Sequence, residues 1–165
     1  MITSLRRILT SEVDGSQWSF DVLDGRPYVV VFGNMKCAED VTQIIAALQS
    51  APETVDLDIV QVAHVSGLPK PLQKLATRSL RKAKEKQVAE RAALRARLGL
   101  AAEDGEKLRF ALDWTAQLTE PAEFTHHQKE AVTLLVDADG TVASRLEGPE
   151  VGARVRAWYA SHVSA

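Results

Sequence analysis

Tyr28-Val29-Val30-Val31-Phe32-Gly33-Asn34-Met35-Lys36-Cys37-Ala38-Glu39-Asp40 is the stretch on which the fold turns. From Tyr28 to Phe32 the residues are apolar without alternation, the pattern of a strand covered on both faces and therefore central in its sheet. Gly33 and Asn34 break the run. Apolar residues then recur at Val41, Ile44, Ile45 and Leu48, the spacing of an amphipathic helix over residues 39–49 that ends before Ala51-Pro52. Leu57-Asp58-Ile59-Val60-Gln61-Val62-Ala63-His64-Val65 is a second β-prone run, rich in valine and isoleucine. Strand, helix and strand in this order, closed by a right-handed crossover, predict two neighbouring parallel strands. Cys37, the only cysteine, falls where the first strand runs into the helix.

Outward from this unit, Trp18-Ser19-Phe20-Asp21-Val22-Leu23 alternates polar and apolar before a turn at Asp24-Gly25-Arg26-Pro27. Gly67-Leu68-Pro69-Lys70-Pro71 interrupts the chain, and residues 72–100 read as one long helix of strong helix formers. Its apolar stripe, Leu72, Leu75, Ala76, Leu80 and Ala83, is narrow, so most of this helix is expected in solvent. Ala101-Ala102-Glu103-Asp104-Gly105 is a helix end or break, followed by a further element near Leu108-Arg109-Phe110-Ala111-Leu112-Asp113-Trp114. A hairpin is expected from residues 132–136 and 141–146 about Asp137-Ala138-Asp139-Gly140. A last helix over residues 151–163 turns Val155 and Trp158 inward.

A chain of 165 residues, 45% hydrophobic and 25% charged, fits one soluble domain over residues 1–165 with a core of its own. One cysteine excludes a dithiol cycle within the chain and suits a reducing, cytoplasmic setting. The Arg6-Arg7 pair is followed by Thr10, Ser11, Glu12 and Asp14 before any stretch of signal-peptide length, and no apolar run approaches the ~20 residues that span a bilayer. The net charge of −2 is unevenly spread: from Lys70 to Arg97 ten basic residues face only Glu85 and Glu90. Such a segment points to an acidic protein partner or to acidic groups elsewhere on the same molecule. A merely solvated helix is the simplest reading. Nucleic acid and anionic membrane rank last, because aromatic residues are absent from 70–100 and the apolar face is thin.

A reactive cysteine must be partly thiolate near neutral pH. The start of a helix and Lys36 favour the thiolate of Cys37, while Glu39 and Asp40 in the same turn oppose it. Both an activated and an inert thiol stay open. His126-His127 offers no ligand spacing for a metal, and Asp137-Ala138-Asp139-Gly140 lacks the third acid and terminal Glu of a calcium loop, so no metal or cofactor is expected. His64, at a strand end, either approaches the thiol or makes a local hydrogen bond. Neither a Walker-type phosphate loop nor a Gly-x-Ser-x-Gly elbow occurs.

The order of these elements resembles the thioredoxin-like superfamily, most closely its redoxin branch of thiol reductases and peroxiredoxin-like proteins. Val13-Asp14-Gly15 with Asp24-Gly25-Arg26-Pro27 and the following strand is similar to that branch's entry to its reactive cysteine. Leu112-Asp113-Trp114 and Leu134-Leu135-Val136-Asp137-Ala138-Asp139-Gly140-Thr141-Val142 are similar to its later segments. The match covers residues 13–148, and within it the basic helix 70–100 resembles an insertion. The resemblance implies an α/β fold, a central mixed sheet flanked by helices. It also implies monothiol redox chemistry, thiol-disulfide or peroxide reduction, in which Cys37 is the nucleophile, Lys36 assists ionisation, Asn34 hydrogen-bonds the sulfur or substrate, and Thr133 stands on the facing turn. The partner is then an external thiol reductant, with a Cys37-linked homodimer as the other oxidation product. Four positions depart from the family pattern: Asp40 replaces the second cysteine of a CxxC pair, and Ala131-Val132-Thr133 replaces a cis-proline turn. Val30 and Asn34 stand where a peroxiredoxin loop has proline and threonine. Those departures motivate the alternative, a redox-inactive module that holds a protein partner through its scaffold and basic helix.

Overall fold

The computed structural model describes residues 3–6, 8–103, 106–125 and 127–163; Arg7, Asp104, Gly105 and His126 lie outside them. The strands are β1 (Leu9–Glu12), β2 (Gln17–Ser19), β3 (Tyr28–Gly33), β4 (Asp58–His64), β5 (Leu108–Asp113), β6 (Val132–Val136) and β7 (Val142–Glu147). The helices are α1 (Ala38–Gln49), α2 (Lys70–Arg97) and α3 (Gly152–Val163). The strands form one mixed sheet in the order β2-β1-β5-β4-β3-β6-β7.

β3 is buried along its whole length, as its unbroken apolar run requires, between parallel β4 and antiparallel β6. α1 is the crossover from β3 to β4. β4 is also parallel to β5, with His64 opposite Asp113, and parallel strands cannot be joined by a tight turn. α2 is therefore the second crossover, built into the sheet as its β4–β5 connection. Two crossovers of one hand advancing in one direction lie on the same face. α3 joins them there, with Val155 and Tyr159 packed in a cluster with Ile44, Leu48, Val29 and Val31. On the opposite face Val30, Phe32, Val60 and Val62 are covered by a 3-10 turn, Phe20–Leu23, and by Leu118, Ala122 and Phe124 from the β5–β6 connection.

Three local expectations are corrected. Trp18 to Leu23 is not one strand: pairing ends at Ser19, and Phe20 and Leu23, three residues apart, are buried from the 3-10 turn while Val22 is exposed. β1 has no counterpart in the hydropathy pattern, because Thr10 and Glu12 are its buried residues. Leu72 and Leu75 of α2 do not reach a core; they are 43% and 57% exposed, and the helix meets the sheet through Ala76, Leu80, Ala83 and the buried Arg91 and Leu94.

Gly33 closes β3 for a steric reason. A Cβ there would lie 2.5 Å from Val41 Cγ2, so glycine is what lets α1 settle against the strand end. That contact fixes the turn carrying the thiol.

Candidate functional site

Asn34 leaves β3 in extended conformation and caps the short 3-10 turn Met35–Cys37. Its Oδ1 accepts from the backbone N–H of Lys36 at 2.8 Å and of Cys37 at 3.1 Å. Its own N–H donates to Cys37 Sγ at 3.3 Å, and the thiol in turn reaches Asn34 Oδ1 at 3.3 Å. The amide Nδ2 donates across to the carbonyls of Gln128, 3.1 Å, and Thr125, 3.4 Å. One side chain thus ties strand end, thiol and the 125–128 segment together.

Cys37 is 1% exposed, within the cluster that holds Phe32, Val62, Phe124 and Val132. Burial pushes its thiol pKa up, and the charge of Asp40 pushes the same way; the Asn34 N–H acts against them without prevailing. The resting thiol is neutral and shielded.

Asp40 stands at the position of the missing second cysteine, and its Oδ2 accepts the backbone N–H of Ala131 at 3.1 Å. The Ala131 carbonyl accepts from Gly148 N–H at 3.0 Å. Every peptide bond of this turn is trans. Ala131 therefore has both backbone hydrogen-bonding groups paired inside the chain. The two departures from the family motif are bonded to each other.

Among the expected site residues, Cys37 and Asn34 are brought together and two are not. Lys36 is exposed, and the charge acting on the sulfur is that of Asp40, which favours the neutral thiol. Thr133 pairs with Val31, and its neighbours of the same parity, Ala131 and Leu135, lie in the cluster beneath α1. Cys37 lies in the cluster on the other face. A residue on a strand alternates faces, so Thr133 cannot face the thiol across the sheet; it is fully buried and its Oγ1 has no hydrogen-bond partner among the described residues.

His64 makes a local bond. Thr119 Oγ1 donates to Asp113 Oδ2 at 2.8 Å, which leaves the Thr119 oxygen to accept from His64 Nδ1 at 3.0 Å. The same carboxylate oxygen accepts the N–H groups of Leu118 and Thr119, so Asp113 organises the loop that covers the thiol's face. Residue spacing gave no hint of this chain, since Thr119 sits in a segment without periodicity. Of the His126-His127 pair only His127 is described, and it is exposed. No cluster of three or more His, Cys, Asp or Glu fit for a metal occurs among the described residues. None of their helices is long and apolar enough to cross a membrane.

The basic charges of α2 divide into two sets. Arg91, fully buried, donates to the carbonyls of Val55 (2.8 Å), Thr54 (2.9 Å) and Leu57 (2.6 Å) and lies 3.3 Å from a Glu103 oxygen. Arg95 pairs with Asp56, and Lys84 with Glu12 and Glu106. Arg81 donates to the Val13 carbonyl. These hold α2 to the sheet. Lys70, Lys74, Arg78, Lys82 and Lys86 instead follow one another at four-residue spacing, all exposed, and among the described residues only Lys86 has a carboxylate near it, Glu90 at 3.8 Å.

No protein-family model matches the chain, and no curated protein matches it. Solved structures do. The pneumococcal exposed lipoprotein thioredoxin of Streptococcus pneumoniae superposes with a TM-score of 0.61 at 11% identity, over 93% of this chain and 98% of that one. A SCO1/SenC family lipoprotein of Bacillus anthracis gives 0.62 at 15% identity over 98% and 95%. Peroxiredoxin Q of Xanthomonas campestris gives 0.59 at 13% over 99% and 96%. The fold is that of the thioredoxin-like superfamily, and the structures it matches come from the redoxin branch.

Proposed function

We propose that this chain is a thioredoxin-fold module that has exchanged thiol cycling for the binding of a protein partner. The observation that carries the reading is the closure of the thiol site: Cys37 is buried and neutral, and Ala131 has its N–H held by Asp40 and its carbonyl by Gly148. A thiol exchange needs an accessible thiolate and a docking edge. Neither is on offer, whereas α2 presents an exposed row of cations in which, among the described residues, only Lys86 has a carboxylate beside it. Monothiol redox chemistry is the second reading, supported by the Asn34 N–H at 3.3 Å from the sulfur, a donor placed to stabilise a thiolate once the 125–128 segment opens.

Iodoacetamide alkylation against pH separates the two. The module reading expects the native protein to react roughly a hundredfold or more slowly than the unfolded chain, because reaction waits for local opening. It also expects a thiol pKa at or above an ordinary cysteine's ~8.5. Fast native alkylation with a lower pKa, together with disulfide or peroxide turnover that Cys37→Ser abolishes, would establish the monothiol enzyme instead.

A further inference from the structure

α1 and α2 share one face of the sheet without packing along their length. Gln49, the last residue of α1, donates to the Gln87 carbonyl at 3.0 Å, and Gln61 on the sheet donates to Gln87 Oε1 at 2.5 Å, which closes the space between the helices at that level. Above it a groove of about 590 Å³ opens toward the carboxyl ends of the strands. Small residues make the room: Ala38 and Ala46 on one wall, Ala76, Ser79 and Ala83 on the other. Large apolar side chains stand at its mouth, Met35 76% exposed, Leu72 43% and Leu75 57%. Contiguous apolar surface of this kind marks a binding site.

The basic row says what fits it. Each four-residue step along α2 turns about 40° around the helix, so the row winds from the outer side at Lys70 to the groove's rim at Lys86. Its cations follow one another every ~6 Å, the rise of four helical residues, and the row is ~24 Å long. A single anionic headgroup would meet only the nearest of them. A second helix seated in the groove meets the row at its rim end, pairing with Lys86 and Lys82 and lying in the field of Arg78 and Lys74 farther round, while its own apolar stripe enters the groove.

We propose that the α1–α2 groove is the docking site of an acidic amphipathic helix of a partner protein, its apolar stripe between Val41 and Leu75 and its carboxylates against Lys86 and Lys82, in the field of Arg78 and Lys74. This deepens the partner-binding reading and rests on it. The groove opens beside Met35, while Cys37 packs into the cluster on the other face of the sheet, so an occupant leaves the thiol's own surroundings unchanged. Electrostatic complementarity of this kind sets orientation and association rate, and salt weakens it.

The test uses the full chain and two synthetic 18-residue helical peptides with the same leucine stripe, one with glutamate at its polar positions and one with lysine. Fluorescence anisotropy should show saturable binding of the glutamate peptide only, weakened about tenfold or more between 50 and 500 mM salt. Replacing Lys74, Arg78, Lys82 and Lys86 by Gln should weaken it about tenfold, and Leu75→Glu by a similar factor, with the far-ultraviolet spectrum and thermal midpoint of each variant near wild type. No saturable binding of the glutamate peptide at low salt overturns the proposal, as does equal binding of both peptides. Saturation by oleate without the peptide, or a wild-type dimer that Leu75→Glu dissociates, overturns it too by naming another occupant. The thiol assay is independent. Disulfide turnover alongside peptide binding would remove the redox-inactive reading and leave the groove standing.

Discussion

The thiol turn and the face of α2 beside it meet at Met35 and are built on opposite terms. At the turn the side chains that frame the thiol are answered within the chain: Asn34 is bonded at its N–H, its side-chain oxygen and its amide nitrogen, and Asp40 at Ala131. On α2, five cations in a row have one nearby carboxylate between them among the described residues, and Leu72 and Leu75 lie half in water. Groups paired inside the fold stabilise it, and groups left over are available to something else. In this fold the turn that carries the thiol is a closed joint, and the exposed charge lies on the crossover helix.

The same division runs through α2 itself, and breaking its inner half should have the largest effect. Arg91→Ala would leave the carbonyls of Thr54, Val55 and Leu57 buried without donors and Glu103 without its cation, a loss expected near 3–5 kcal/mol in urea unfolding. A loss below about 1 kcal/mol would mean that water replaces the guanidinium and that α2 is not braced by it. Next in size is Asp40→Ala, which orphans the Ala131 N–H and should cost about 1–3 kcal/mol. It also removes the charge that adds to burial in raising the thiol pKa, so alkylation of Cys37 should quicken and its pKa fall. A stable Asp40→Ala protein with an unaltered thiol would sink the account of the closed joint.

How much of this was legible beforehand differs between the two regions for a physical reason. β3, α1, β4 and β6 follow from periodicity, because each buries apolar residues in a run or stripe, and the β6–β7 hairpin follows from the turn residues that link β6 to the largely uncovered β7. β1 did not, since its buried residues are Thr10 and Glu12, and a polar residue satisfied by a distant partner, here Lys84 and the Phe110 N–H on Glu12, leaves no mark in local hydropathy. Cys37 and Asn34 were readable from their place after the strand. Thr133 was expected on a turn facing the thiol; the β3–β6 register, in which it pairs with Val31, instead sets it within β6 on the side of α1. The bond of Asp40 to Ala131 spans 91 residues, and no single-chain pattern encodes it. The basic row was visible as excess charge. Its division into braces and free cations required the positions of Asp56, Glu103 and Glu106.

A smaller effect tests the buried thiol through pH. Burial raises the Cys37 pKa, so above the ordinary thiol value of ~8.5 the unfolded chain releases a proton that the folded chain keeps. Stability is then fully present below that value and is lost as pH rises through the folded-state pKa, at most about 1.4 kcal/mol per pH unit for one group. Tyr28 and Tyr159, also raised first by burial, add losses of the same sign only above ~10. Urea midpoints between pH 8 and 9.5 should fall for wild type and stay flatter for Cys37→Ala. Equal slopes would mean that the thiol ionises freely in the fold.

The smallest expected change is the one that matters for the outer half of α2. Substituting Lys74, Arg78, Lys82 and Lys86 by Gln removes four exposed charges, of which, among the described residues, only Lys86 has a carboxylate within 4 Å. Exposed ion pairs are worth about 0–1 kcal/mol, and like charges four residues apart on a helix repel, so unfolding free energy should move by less than about 1 kcal/mol and in the stabilising direction where repulsion dominates. Glutamine keeps helix propensity near that of lysine and arginine, so the backbone contributes little to the difference. A thermal melt near wild type, beside the collapse expected of Arg91→Ala, would show two classes of cation on one helix, one serving the fold and one left for a partner. A loss of several kcal/mol would erase the distinction and make the whole row a brace.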